Sequence, residues 1–110
     1  MSREYQTDIL IVGAGAAGLT LALELADKHQ VAILTKGDIH EGATLYAQGG
    51  VAAVLSDKDT VDSHIKDTMI AGADLGDTDA VRFTVEQSKQ SIDWLIAQGV
   101  PFTRYENGEH

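Results

Sequence analysis

The 110-residue chain contains no cysteine, which rules out a disulfide and a thiolate metal site and fits a cytoplasmic protein. Basic residues are scarce: 8 Lys and Arg stand against 17 Asp and Glu, for a formal net charge of −9. A nucleic-acid partner would call for a basic stripe, and none is present. A deficit of positive charge does not disfavour an anionic cofactor, because phosphate is held by local backbone donors. No long apolar run occurs. The start, Ser2 to Asp8, is polar and acidic, and the run after it is about five residues, too short for a signal or membrane helix. The four histidines, His29, His40, His64 and His110, are scattered without metal-ligand spacing. Asp57, Asp59, Asp62 and Asp67 lack the glycine and terminal glutamate of a calcium loop and read as a capped, acidic first helical turn. No Ser-His-Asp or Cys-His arrangement is visible.

What the chain does have is an apolar run, Ile9–Val12, that feeds directly into Gly13-Ala14-Gly15-Ala16-Ala17-Gly18 and then into a helical pattern. This G-x-G-x-x-G turn has a role for each glycine. Gly13 permits the tight turn, Gly15 lets a pyrophosphate approach the backbone, and Gly18 lets helix and strand pack closely. The helix start offers free N–H groups and a positive dipole end to phosphates. Ala22, one turn after Gly18, puts a second small residue on the same face. The unbroken apolar character of Ile9–Val12 predicts a parallel strand buried on both faces. A helix is expected over Ala16–Lys28 and a second strand over Val31–Leu34, closing a right-handed βαβ unit.

In NAD-binding versions an acid stands at the end of the second strand, roughly 20 residues past the glycines. Here Thr35 occupies that place. Lys36 follows, either as a solvated loop lysine or as a positive charge and aliphatic stem for a ligand. The segment Gly42 to Ala53 is less polar than an ordinary exposed loop. Its adjacent Gly49 and Gly50 suit either a tight turn into a strand or a loop wrapped on a flat ring. A short strand is expected at Val51–Leu55 and a turn at Ser56–Asp59. Asp59 or Thr60 should cap a helix running to about Ala71 with Ile65 and Met69 inward. Gly76-Asp77 opens the longest helix, whose stripe is Val81, Val85, Ser88, Ile92 and Leu95 or Ile96. Gly99 ends it, the single proline, Pro101, follows, and Phe102 and Thr103 should begin a strand. Trp94 and Phe83 read as packing residues.

Four segments together resemble one family: GAGAAGL, VAILTKG, ATLYAQGGVAAV and DSHIKDTMIAGADLGD. The chain is similar to the N-terminal part of the succinate dehydrogenase/fumarate reductase flavoproteins. Lys36, Tyr46 and Ile70–Ala73 narrow the likeness to the aspartate-oxidising branch. The resemblance implies an α/β fold: the opening βαβ of a Rossmann-type FAD-binding domain, a cofactor-wrapping loop and two following helices. Residues 1–110 would be the N-terminal portion of that domain, the rest of it and a capping domain lying beyond them.

The resemblance also implies FAD, with Gly13, Ala14, Gly15, Ala16, Ala17 and Gly18 along the pyrophosphate and Lys36 near the adenosine. Ala43, Thr44, Leu45, Tyr46, Ala47, Gln48, Gly49 and Gly50 would wrap the ribityl chain and isoalloxazine. The succinate dehydrogenase branch carries a flavin-linking histidine where this chain has Ala43, so noncovalent FAD is implied. The implied reaction is oxidation of L-aspartate to iminosuccinate, with oxygen or fumarate as acceptor. This step opens de novo NAD synthesis and passes its product to quinolinate synthase. Neither Arg82 nor Arg104 matches a substrate residue of the family, so no catalytic residue and no metal site are assigned. Two alternatives stand beside this reading: a soluble fumarate reductase or succinate dehydrogenase flavoprotein subunit, and a non-enzymatic dinucleotide-binding module.

Overall fold

The computed structural model describes residues 2–47 and 49–104. The chain divides into two compact units, residues 1–49 and 50–110.

The first unit is a βαβ. Strand β1 (Ile9–Val12) pairs in parallel with β2 (Val31–Leu34), Ile9 opposite Val31 and Val12 opposite Leu34, and helix α1 (Ala16–Leu25) crosses between them. The start of the strand pair is fixed by polar contacts at Gln30. Its carbonyl accepts from the Asp8 and Ile9 N–H groups and the Thr7 hydroxyl, and its N–H donates to Asp8 Oδ2. Helix α1 stops at Leu25, whose carbonyl accepts from the N–H groups of Lys28 and His29. The apolar pattern had suggested a helix reaching Lys28. No basic side chain stands in the last turn of α1 to satisfy its terminal carbonyls, and a turn over residues 26–28 does so instead.

Burial of β1 on both faces is also corrected. Ile11 is buried against the α1 side, but Leu10, Val12 and Leu34 are 58%, 77% and 57% exposed. Strand alternation and the register Leu10↔Ala32 and Val12↔Leu34 put these three on the opposite face, which no described element of this unit covers.

The second unit is a helix pair, α2 (Val61–Ala71) and α3 (Thr78–Ala97). Thr60 caps α2, its hydroxyl accepting from the Ser63 N–H, and Asp77 caps α3 by accepting from the Ala80 N–H. Ile65, Val85 and Ile92 are buried between the helices. Val81, Ser88, Leu95, Ile96 and Met69 are half-buried beside them. Arg82 bridges Asp62 and Glu86 at the surface. Gly99 leaves α3 at φ +95, the left-handed conformation that suits glycine just past a helix end.

Three expectations fail in this unit. Residues 51–55 form no strand, because no described backbone group pairs with them in a ladder. No strand includes the described residues 102 and 103. Phe83 lies on the outer side of α3, 68% exposed, and packs nothing into the core, whereas Trp94 is half-buried. No described helix is long and apolar enough to cross a membrane.

Candidate functional site

The glycine turn sits where β1 hands over to α1. The Gly13 N–H donates to the Leu34 carbonyl (2.9 Å), carrying the strand pairing one step past β1. Gly13 then takes φ +113, which a side-chain-bearing residue rarely adopts, and the chain turns away from the sheet. Gly18 faces back onto this turn: a Cβ there would lie 2.3 Å from the Gly13 carbonyl oxygen and 3.3 Å from Ile11 Cγ2. The third glycine is therefore required by helix–strand contact.

Gly15 is different. It is the N-cap of α1, in an extended conformation, and it supplies no side-chain cap. A Cβ added to it would meet only Thr44 Oγ1, at 3.9 Å. No described group of the chain demands glycine there, and the space beside it is open. The N–H groups of Ala17 and Gly18 bond no acceptor among the described residues. Two first-turn donors are thus open, at the positive end of the helix dipole.

A cleft of about 760 Å³ opens at the carboxyl ends of both strands. Val12, Gly13 and Ala14 line it from the first strand end, and Leu34 to Ile39, Glu41 and Gly42 from the second. Ligands of open α/β sheets bind in such a crevice, and its size is that of a small-molecule site. Lys36 lines it, exposed and without an ion pair among the described residues. The loop after β2 is shaped by its own polar groups: the Thr35 hydroxyl donates to the Gly37 carbonyl, and Asp38 Oδ1 accepts from the His40 N–H.

The following loop returns to the glycine turn. A Cβ on Gly42 would stand 3.4 Å from the Ala14 carbonyl oxygen and 4.0 Å from Gly15 Cα, so the two backbones nearly touch. Thr44 Oγ1 accepts the Ala16 N–H at 3.2 Å.

The residues singled out in the sequence separate into groups. Gly13, Ala14 and Lys36 share the cleft, while Gly15, Ala16 and Thr44 meet at the start of α1. Ala17 and Gly18 present the open amides. Ala43, Leu45, Tyr46, Ala47 and Gly49 are exposed, Tyr46 at 75%. Gln48 lies outside the described residues, and Gly50 begins the second unit. The sequence reading missed Thr35, Gly37, Asp38, Ile39 and Glu41 as cleft-lining residues. Their position directly after a strand that pairs with the glycine strand was the available signal.

A glycine turn with open amides, set beside a crevice at the strand ends, defines a dinucleotide-binding βαβ unit. The chain belongs to the FAD binding domain family, which matches residues 8–110, and the cofactor of this family is FAD. The chain is 58% identical over 110 residues to L-aspartate oxidase of Pseudomonas aeruginosa, covering 100% of this chain and 20% of that protein. It is 50% identical over 108 residues to L-aspartate oxidase of Vibrio cholerae, covering 98% and 20%. Among solved structures, the quinol fumarate reductase FrdA of E. coli superposes with a TM-score of 0.83 at 33% identity, covering 96% of this chain and 18% of that one. The chain spans about a fifth of the length of the curated relatives it matches.

Proposed function

We propose that the full-length protein oxidises L-aspartate to iminosuccinate, holding FAD noncovalently and passing the electrons to oxygen or fumarate. The observation that carries this reading is the 58% identity to an aspartate oxidase over all 110 residues. The geometry fits the cofactor. Ala14 to Ala17 would lie along a bound pyrophosphate, with the Ala17 and Gly18 amides as donors. Lys36 sits at the crevice where the adenosine half would lie. By the family resemblance, Ala43 through Gly50 would wrap the ribityl chain and the ring.

FAD supplies the two-electron acceptor for removing hydride from the substrate Cα. This chain's part is to bind and orient that cofactor; the groups that touch aspartate belong to the rest of the protein. Ala43 offers no nucleophile for a covalent flavin bond. The reaction opens de novo NAD synthesis in the cytoplasm, and quinolinate synthase consumes the product.

The likeness to fumarate reductase supports a second reading, a flavoprotein that exchanges electrons with succinate and fumarate. One experiment separates the two. L-Aspartate added anaerobically to the full-length holoprotein should bleach the visible flavin band, with oxaloacetate and ammonia appearing as iminosuccinate hydrolyses, and succinate should leave the colour unchanged. Bleaching by succinate and not by aspartate would replace the first reading with the second.

A further inference from the structure

From the contacts at the start of α1 we infer that the Thr44 hydroxyl is a positioning residue, which fastens the cofactor loop to the phosphate-binding turn before FAD arrives. The inference rests on the reading of Gly13–Gly18 and the loop after Gly42 as parts of one FAD site.

Gly15 stands at the N-cap without a side chain, so no local cap accepts the Ala17 or Gly18 N–H of α1. Residues usually found there, serine, threonine or aspartate, would fill the space a pyrophosphate needs. Thr44 reaches in from 28 positions away and takes the first-turn amide that an N-cap side chain would not serve: Thr44 Oγ1 accepts the Ala16 N–H at 3.2 Å, which leaves the Ala17 and Gly18 amides open. A second contact makes the attachment two-pointed, because the Gly42 backbone lies against the Ala14 carbonyl and Gly15 Cα. Between the two points the loop is braced by a turn, the Leu45 N–H donating to the Gly42 carbonyl at 3.1 Å. Residues 45–47, which follow, are exposed, so Thr44 is the last tie between the loop and the turn among the described residues.

The consequence for binding is specific. FAD needs both the turn and the loop, whereas ADP needs only the turn and the adenosine crevice. A loop already fastened spares FAD the entropy of ordering it. Removing the hydroxyl therefore weakens FAD and spares ADP.

The test uses the full-length apoprotein and the variants Thr44→Val and Thr44→Ser. Thr44→Val keeps the branched shape and loses the acceptor. Equilibrium titration should show FAD binding weakened about five-fold, the scale of one neutral hydrogen bond, with a slower association rate and an unchanged ADP affinity. Thr44→Ser should restore wild-type FAD binding. Equal weakening of FAD and ADP would mean that Thr44 only caps the helix, and wild-type FAD binding by Thr44→Val would mean that the contact fastens nothing; either result overturns the proposal. If Thr44→Val fails to purify, Thr44→Ala serves, read by the same ratio of FAD to ADP affinity. A wild-type protein that binds FAD but leaves aspartate unoxidised would count against the proposed reaction and leave this inference standing.

Discussion

Gly15 and Gly18 read alike in the motif but differ in what surrounds them, so their substitutions should fail in different ways. A Cβ on Gly18 would press a backbone oxygen 2.3 Å away, with no flexible side chain to yield. Gly18→Ala should therefore destabilise the apoprotein by about 3 kcal/mol, the upper end for overpacking, read as a lowered Tm without ligand. Gly15 is in an extended conformation and has open space around it, so Gly15→Val should keep the Tm of the apoprotein and lose FAD on purification. A Gly15→Val protein that retains stoichiometric FAD would remove this turn from the phosphate site. The roles of Gly13 and Gly18 were legible in the sequence because each follows from position in a strand–turn–helix. The Thr44 contact was not: it joins residues 28 apart, and spacing along the chain says nothing about which loop residue returns to the helix start. Nor were the left-handed Ala73 (φ 54) and Asp74 (φ 58) visible, since Ala rarely adopts a positive φ and Asp favours it only weakly. The strain at each is of the order of 1 kcal/mol, so Ala73→Gly should leave stability unchanged or slightly raised in thermal denaturation, where a glycine replacement in a helix would lower it.

Elements whose limits are set by local chemistry were legible to within a residue or so. Thr60 and Asp77 stand at the starts of α2 and α3 with their side-chain oxygens on the amides three residues on, and Gly99 ends the last helix in a left-handed conformation. Because α3 is the longest helix and supplies two of the buried side chains, Val85 and Ile92, its cap is a sensitive point. Asp77→Ala should cost about 1 kcal/mol, measured by denaturant unfolding of the full-length protein, and Asp77→Asn should recover most of it. Elements that depend on partners elsewhere were less legible. Residues 51–55 carry the β-branched and apolar character of a strand, but a strand exists only where another pairs with it. The end of α1 was overrun for a related reason: Ala26 continues the apolar pattern, while the stop comes from a turn that caps the Leu25 carbonyl. Phe83 shows the limit of composition alone, since an aromatic in a helix still lies outside when its position falls off the buried stripe.

At the scale of the whole chain, net charge and composition leave open how the cofactor is held, and Ala43 bears on that. Acid precipitation of the full-length holoprotein should release all of the yellow colour to the supernatant; flavin left on the pellet would show a covalent bond made elsewhere. A final expectation concerns residues 1–110 taken alone. Within the first unit Ile11 is the only buried hydrophobic side chain among the described residues, while Leu10, Val12 and Leu34 present an apolar sheet face to water. A two-stranded parallel sheet with one open face offers little of the apolar burial that must offset chain entropy, and an exposed face of that kind invites association. The turn and crevice would supply contacts to the phosphates and adenosine in the proposed site, but a complete dinucleotide site of this architecture is assembled from two mononucleotide-binding halves. The isolated 110-residue chain should accordingly show weak secondary structure, bind a hydrophobic dye, and leave FAD fluorescence unchanged when titrated to micromolar concentration. Saturable quenching in that range would mean that the turn, Lys36 and the Thr44-fastened loop hold most of the binding free energy by themselves.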